Sequence, residues 1–92
     1  MLYHSTTYKK AKLYRLSGSI HAPVRGFTTL QAAMAWSLKV GRKIIYQIDC
    51  SGFSGCIYKL PDHHNQFGKA WWIDANVPVD RIKCVFSADV DA

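Results

Sequence analysis

The sequence contains no glutamate, and its six acidic residues are all aspartates. Proline, glycine and cysteine are also scarce, with three, six and three residues in a chain of 92. This scarcity, together with 49% hydrophobic residues, excludes collagen-like repeats and intrinsic disorder. A chain of this length supports one hydrophobic core, so residues 1–92 are predicted to form a single domain.

Long apolar runs are missing as well. The longest apolar stretch, Leu30–Leu38, has nine residues, and a helix that spans a bilayer needs about 20. The N-terminus shows no signal-peptide pattern, and an odd number of cysteines argues against a disulfide framework. The sequence therefore predicts a cytoplasmic protein with free thiols and no membrane partner.

Acidic residues are absent from the first half of the chain. Residues 1–48 contain eight basic residues and no acid, whereas residues 49–92 contain four basic residues and six aspartates, for a net charge of +6. Such asymmetry attracts a polyanion or an acidic protein face. The candidate residues for this contact are Lys9, Lys10, Lys12, Arg15, Arg25, Lys39, Arg42 and Lys43.

Two helices are predicted in the basic half. The first covers Tyr8–Leu16 and ends at Gly18, because glycine favours the position that follows a helix. The second runs from Gln31 to Val40 after a Thr28-x-x-Gln31 capping box. The side chains expected to face inward are Ala11, Tyr14, Leu13 and Leu16 in the first helix, and Leu30, Ala33, Met34, Ser37 and Leu38 in the second.

The remaining pattern predicts strands. A short strand opens the chain, and a second extended segment covers Ile20–Ala22. Four further strands follow the second helix at Lys43–Cys50, Cys56–Leu60, Lys69–Asp74 and Arg81–Phe86. Pro61–Gly68 is predicted to be a polar loop, and Asn76–Pro78 a turn. This order predicts an α+β fold in which two helices pack on a mostly antiparallel sheet of four to six strands.

Metal binding is a weak candidate function. Thiol and imidazole groups occur at Cys50, Cys56, His63, His64 and Cys84, but not in the paired short knuckles that hold zinc. The cysteines are better interpreted as small buried residues. The sequence therefore predicts no metal.

Catalytic motifs are also missing: the chain has no nucleophile elbow, glycine-rich phosphate loop or zinc-protease signature. His4 is the most interesting candidate proton carrier, because three hydroxyl residues, Ser5, Thr6 and Thr7, follow it. This group could bind a ribose or a phosphate. It could equally be a polar strand end above a helix cap, which needs the same residue types.

Basic and aromatic residues occur together between Tyr8 and Arg15, a combination that is typical of nucleic-acid-binding surfaces. No RNA-recognition motif, KH-type loop or zinc finger accompanies them. The candidate interface aromatics are Tyr8, Trp36, Trp71 and Trp72. The two adjacent tryptophans alternate across a strand, so one is expected in the core and the other at the surface.

Several short motifs resemble the ADP-ribosyltransferase-like families: Tyr3-His4-Ser5-Thr6-Thr7, the Ser17-Gly18-x-Ile20 step, and Gly26-Phe27-Thr28-Thr29 leading into Ala32-Ala33-x-Ala35-Trp36. The strand Ile44–Asp49 and the closing Val77–Ile82 segment extend the resemblance to about three quarters of the chain. It implies that His4 contacts the ribose of NAD and that Thr28 and Thr29 support the nicotinamide pocket. The catalytic glutamate of these families has no counterpart, so the resemblance implies that transferase activity is either lost or carried by an aspartate.

Two hypotheses follow. The first is a small non-catalytic binding protein or inhibitor, of the kind that phages and mobile elements encode, whose basic half docks on nucleic acid, a nucleoprotein complex or an acidic protein. It requires no cofactor. The alternative is an NAD-using enzyme, or an NAD-binding pseudoenzyme, with His4, Thr28 and Thr29 at its site.

Overall fold

The computed structural model describes residues 1–60 and 67–88. Its helices are α1 (Tyr8–Ser17) and α2 (Leu30–Val40). Its strands are β1 (Leu2–Thr6), β2 (Ser19–Ile20), β3 (Val24–Phe27), β4 (Ile44–Ile48), β5 (Ile57–Lys59), β6 (Ala70–Ile73), β7 (Val77–Pro78) and β8 (Ile82–Ser87). The predicted α+β class is confirmed.

Six strands form the main sheet in the order β5-β6-β3-β1-β4-β8, and every neighbouring pair is antiparallel. β2 and β7 form a separate two-stranded sheet. The prediction of a turn at Asn76–Pro78 was therefore wrong for Val77 and Pro78. These two residues are extended because they pair with β2, a contact too distant in sequence for local turn signals to reveal.

The helices cover opposite faces of the main sheet. Alternate β4 side chains point to opposite sides, so Ile44 packs with Ala11 of α1, whereas Ile45 packs with Ala32 and Ala33 of α2. A third apolar cluster joins the small sheet to the α1 face. Both faces of the sheet are therefore covered, and the hydrophobic core lies on either side of it.

Both helices end as their sequence predicts, at glycines in the left-handed region: Gly18 has φ 84° and Gly41 has φ 75°. The start of α2 differs from the prediction. Thr29, not Thr28, is the N-cap, and its side chain accepts a hydrogen bond from the Ala32 amide. The Thr28-x-x-Gln31 capping box is therefore not formed, because the N-cap lies one residue later; the helix itself begins at Leu30, one residue before the predicted Gln31.

The predicted inward faces are partly wrong. Ala11 is buried and Tyr14 is half-buried, but Leu13, Leu16 and Leu38 are 53%, 76% and 80% exposed. In α2 the small residues Ala33 and Ser37 are buried as predicted, and Ser37 Oγ lies 2.6 Å from that of Ser5 in β1. Small side chains let the helix sit close to the sheet, which leaves Leu38 outside the contact.

Candidate functional site

The main sheet opens between β1 and β3. These strands share only one registered pair, Tyr3 with Phe27, whereas β1 and β4 pair over five residues. Gly26 lies so close to β1 at this junction that a Cβ atom there would stand 3.1 Å from the Tyr3 carbonyl oxygen. Beyond the junction, side chains replace the missing ladder bonds.

His4 and Arg42 make these replacement bonds. His4 Nδ1 donates to the Arg25 carbonyl of β3 at 2.7 Å, and Arg42 Nη1 donates to the Ser5 carbonyl of β1 at 3.3 Å. These bonds give the two carbonyls hydrogen-bond partners where the ladder between β1 and β3 is missing. His4 thus bridges the two strands at the opening, whereas Arg42 binds only β1.

The hydrogen bonds of His4 determine its tautomer. Since a carbonyl only accepts, Nδ1 carries the proton, and Nε2 of the neutral ring accepts from the Tyr14 hydroxyl at 3.1 Å. The Tyr14 oxygen in turn accepts from Thr6 Oγ1 at 3.2 Å. Thr6, Tyr14, His4 and the Arg25 carbonyl therefore form one directed chain of hydrogen bonds.

The surroundings of His4 keep its ring neutral. Burial lowers the pKa of His4 from its usual 6.5 to about 4. The Arg25 carbonyl raises this pKa, and the positive charges of Arg42 and Lys10 lower it further. At neutral pH, His4 is therefore an uncharged acceptor and donor that holds the two strands and α1 together.

A cleft of about 840 Å³ lies at this opening, within the range of small-molecule sites. Three cationic residues line it: Lys10 of α1, Arg25 of β3 and Arg42 from the segment that follows α2. None of the described aspartates, Asp49, Asp74 and Asp80, is among its lining residues. The cleft therefore combines positive charge with the neutral His4 and Tyr14 side chains.

The other part of the cleft is apolar. Phe27, Trp36, Leu60 and Ala70 line it and belong to one packed cluster on the α2 face. The Phe27 and Trp36 ring centroids are 6.3 Å apart. Tyr3 of β1 also packs against this cluster and lines the cleft, so it bridges the apolar and the cationic parts.

The other predicted cations lie outside the cleft. Lys9, Lys12 and Arg15 are exposed on α1. Lys39 Nζ lies 5.7 Å from the centre of the Phe67 ring, and Lys43 lines a smaller pocket of about 210 Å³. Seven of the eight predicted cations are exposed, and Arg42, the eighth, is half-buried.

Of the three residues that the NAD hypothesis names, only His4 lines the cleft. Thr29 caps α2 through its side chain. Thr28 is half-buried, and its amide donates to the Lys69 carbonyl at 3.0 Å. The structure thus gives Thr29 a local structural role and brings neither threonine to the cleft wall.

Among the predicted interface aromatics, only Trp36 lines the cleft. The Tyr8 hydroxyl donates to the Ala88 carbonyl at 2.7 Å, so this ring ties α1 to the end of β8. The expectation that one of the adjacent tryptophans is exposed was wrong. Trp71 and Trp72 are both half-buried, because each packs against an apolar cluster on its own face of the sheet.

The metal candidates do not come together in the described residues. Cys50 and Cys56 are half-buried and Cys84 is exposed, and all three thiols are free. No group of three or more potential ligands was found within residues 1–60 and 67–88. His63 and His64 lie outside the described residues.

Tyr14, Thr6 and Gly26 are the site residues whose roles sequence reasoning missed. The alternation of β1 places His4 and Thr6 on one face, and Tyr14 was predicted to face inward, so part of the signal was present. The close approach at Gly26 had no such signal, because it depends on how two strands separate.

Comparisons with known proteins returned no match: no family model fits the chain, and no curated protein or solved structure resembles it detectably. The ADP-ribosyltransferase-like resemblance therefore stays a prediction that depends on the short motifs alone. Neither described helix is long and apolar enough to cross a membrane. The geometry of the cleft is accordingly the basis for a functional proposal.

Proposed function

We propose that this chain is a non-catalytic binding protein whose basic half docks on an anionic macromolecule. The observation that carries the proposal is the arrangement of positive charge. Lys10, Arg25 and Arg42 surround one cleft that no described aspartate lines, and exposed cations on α1 extend the same charge along the helix. Such a surface raises the local concentration of an anionic partner and accelerates association.

The α1 helix is the part of this surface best suited to a large partner. Lys9, Lys10, Lys12 and Arg15 are all exposed on it, within two helical turns. The two tyrosines of this helix contact other parts of the fold, Tyr14 with His4 and Tyr8 with Ala88. Contact with phosphates or carboxylates is therefore favoured over stacking on bases, and a small inhibitor that masks an acidic or nucleoprotein surface fits this arrangement.

A matched pair of charge reversals tests the proposal. One variant replaces Lys9, Lys10 and Lys12 with Glu, and the other replaces Lys59, Lys69 and Lys83, which are also exposed. Both change the net charge equally, so any difference reflects position. Fluorescence anisotropy with single-stranded DNA, duplex DNA and polyaspartate should show binding that weakens with salt and is lost mainly in the first variant.

Equal loss in the two variants, or no binding to any of the three probes at low salt, would contradict this proposal. If the wild type binds DNA but not polyaspartate, or polyaspartate but not DNA, the result identifies the class of partner. A pull-down from host lysate with the wild type and the α1 variant then names it.

NAD binding is a second candidate, because His4 lies in the cleft where the resemblance predicts a nucleotide contact. The chain has no glutamate, and no described aspartate lines the cleft, so binding without a transfer reaction is the expected outcome. Calorimetry should show heat on NAD addition that His4→Ala abolishes and Ser54→Ala, a change at an exposed residue outside the cleft lining, leaves intact. Absence of heat with the wild type would exclude this candidate.

A further inference from the structure

The cleft has two chemically different parts that a single ligand could span. Its cationic part holds Lys10 and Arg42 next to His4, and its apolar part holds Phe27, Leu60 and Ala70. Tyr3 lies between them on β1. A ligand that fills both parts needs an acidic group at one end and hydrocarbon at the other.

The polar groups at the base of the cationic part are already satisfied. Both ring nitrogens of His4 are hydrogen-bonded, and the Tyr14 hydroxyl donates to His4 and accepts from Thr6. An incoming acidic group is therefore expected to bind the cations around these residues. No described aspartate lines the cleft, so none competes with the ligand for these cations.

The α1 wall adds exposed hydrocarbon. Leu13 and Leu16 line the cleft and are 53% and 76% exposed. Lys10, Leu13, Tyr14 and Ser17 have the i, i+3, i+4, i+7 spacing that places residues on one helix face, and all four line the cleft. Apolar surface that a ligand covers contributes favourably to binding, so contact with this wall favours a ligand with an apolar chain.

The apolar part suits hydrocarbon better than a nucleobase. The Phe27, Leu60 and Ala70 side chains offer only carbon atoms, and the polar edges of a base buried against them would lose hydrogen bonds with water. An alkyl chain or a plain aromatic ring carries no such cost. The lining of this part therefore disfavours the nucleotide as the best-fitting occupant.

We propose that the cleft binds a small amphiphilic anion, a single apolar chain or ring that carries one acidic head group. This inference goes beyond the proposed macromolecular docking and shares with it only the cations of the cleft. The head group lies among Lys10, Arg25 and Arg42, and the apolar portion lies along Phe27, Leu60 and the leucines of α1. The ligand is held by charge at one end and by apolar contact at the other.

Calorimetric titration with decyl phosphate below its micelle concentration tests the proposal. Decanol keeps the chain and removes the charge, whereas inorganic phosphate keeps the charge and removes the chain. Decyl phosphate should bind at least about tenfold more tightly than either, a difference of about 1.4 kcal/mol. Equal affinity for inorganic phosphate, equal affinity for decanol, or binding of NAD without binding of decyl phosphate would each overturn the proposal.

Two pairs of matched variants place the ligand in the cleft. Lys10→Gln should weaken decyl phosphate binding about tenfold, and Lys9→Gln, next to it but outside the lining, should leave it unchanged. Leu13→Ser should weaken it about fivefold without changing the affinity for inorganic phosphate, whereas Leu38→Ser, at an exposed leucine of α2, should have no effect. Equal effects within either pair would place the ligand elsewhere.

The triple variant Lys9→Glu, Lys12→Glu, Arg15→Glu separates this inference from macromolecular docking. It alters the exposed face of α1 and leaves the three cleft cations in place. Loss of DNA or polyaspartate binding with unchanged decyl phosphate affinity is the expected result. If the wild type binds decyl phosphate but no macromolecular probe, only the macromolecular proposal fails.

Discussion

The imidazole of His4 connects three parts of the fold. Its Nδ1 reaches β3 through the Arg25 carbonyl, its Nε2 reaches α1 through Tyr14, and its backbone belongs to β1. These contacts need the neutral ring, because only the neutral form has an acceptor nitrogen for the Tyr14 hydroxyl. Protonation of His4 therefore opposes the packing of the two strands and the helix.

The low pKa of His4 predicts a specific dependence of stability on pH. The pKa is about 4 in the folded protein and 6.5 unperturbed. Between these values the unfolded chain binds a proton that the folded protein does not. The free energy of unfolding should therefore fall as the pH is lowered from 6.5 to 4, by at most about 3 kcal/mol.

Urea denaturation at several pH values measures this loss. His4→Asn keeps a donor for the Arg25 carbonyl but cannot titrate, so its stability should depend less on pH in this window. His21→Asn changes an exposed histidine and should retain the wild-type slope. Identical slopes for wild type and His4→Asn would show that His4 is not the titrating group.

At this scale the sequence indicated the residues but not their connections. His4 stood out because hydroxyl residues follow it, and Tyr14 was expected to face inward. Their hydrogen bond was not predictable, because it depends on how far α1 folds back over β1. The role of Arg42 could not be predicted either, because its hydrogen bond to the Ser5 carbonyl forms only where the sheet opens.

At the scale of elements, the junction of β1 and β3 determines where the cleft begins. Gly26→Ala should destabilise the protein by about 1–3 kcal/mol, because its Cβ would stand 3.1 Å from both Leu2 Cβ and the Tyr3 carbonyl oxygen. Gly55→Ala is the matched control, since nothing lies within 4 Å of a Cβ there. If thermal denaturation showed equal losses of stability for the two variants, the close approach of Gly26 to β1 would be contradicted.

The start of α2 offers a second test among the elements. Thr29→Ala removes the side-chain oxygen that accepts from the Ala32 amide and should cost about 1 kcal/mol. Thr29→Ser retains the oxygen, so its stability should stay near that of the wild type. Thr28→Ala removes no cap and should cost less stability than Thr29→Ala. If Thr28→Ala proved the more destabilising change in urea denaturation, the assigned cap would be wrong.

The C-terminal ends of both helices were predictable because glycine acts locally, whereas the N-cap of α2 and part of each helix face were not. The periodic stripe of α2 placed Ala33, Ser37 and Leu38 inward; Ala33 and Ser37 are buried, but Leu38 is 80% exposed. The difference arises from close approach to β1, through the hydrogen bond between Ser37 and Ser5. Tertiary packing of this kind favours the small residues of the predicted face, so only the fold reveals that Leu38 lies outside the contact.

At the scale of the whole molecule, the sheet is covered on both faces and β1 is paired on both edges. Ile45 and Ile48 of the neighbouring β4 are fully buried, whereas two of the three β5 residues are exposed. Native-state hydrogen exchange should therefore be slowest in β1 and β4 and faster by orders of magnitude in β5. Comparable protection of β5 would mean that the sheet opens as a single unit.

The position of β1 in the sheet also has a consequence for protein synthesis. β1 is made before both of its partners, because β3 ends at Phe27 and its five-residue partner β4 ends at Ile48. Full pairing of β1 must therefore wait until Ile48 has been made. During that interval the edge that β4 covers is open, and chaperones or a neighbouring nascent chain have access to a strand that the folded protein hides.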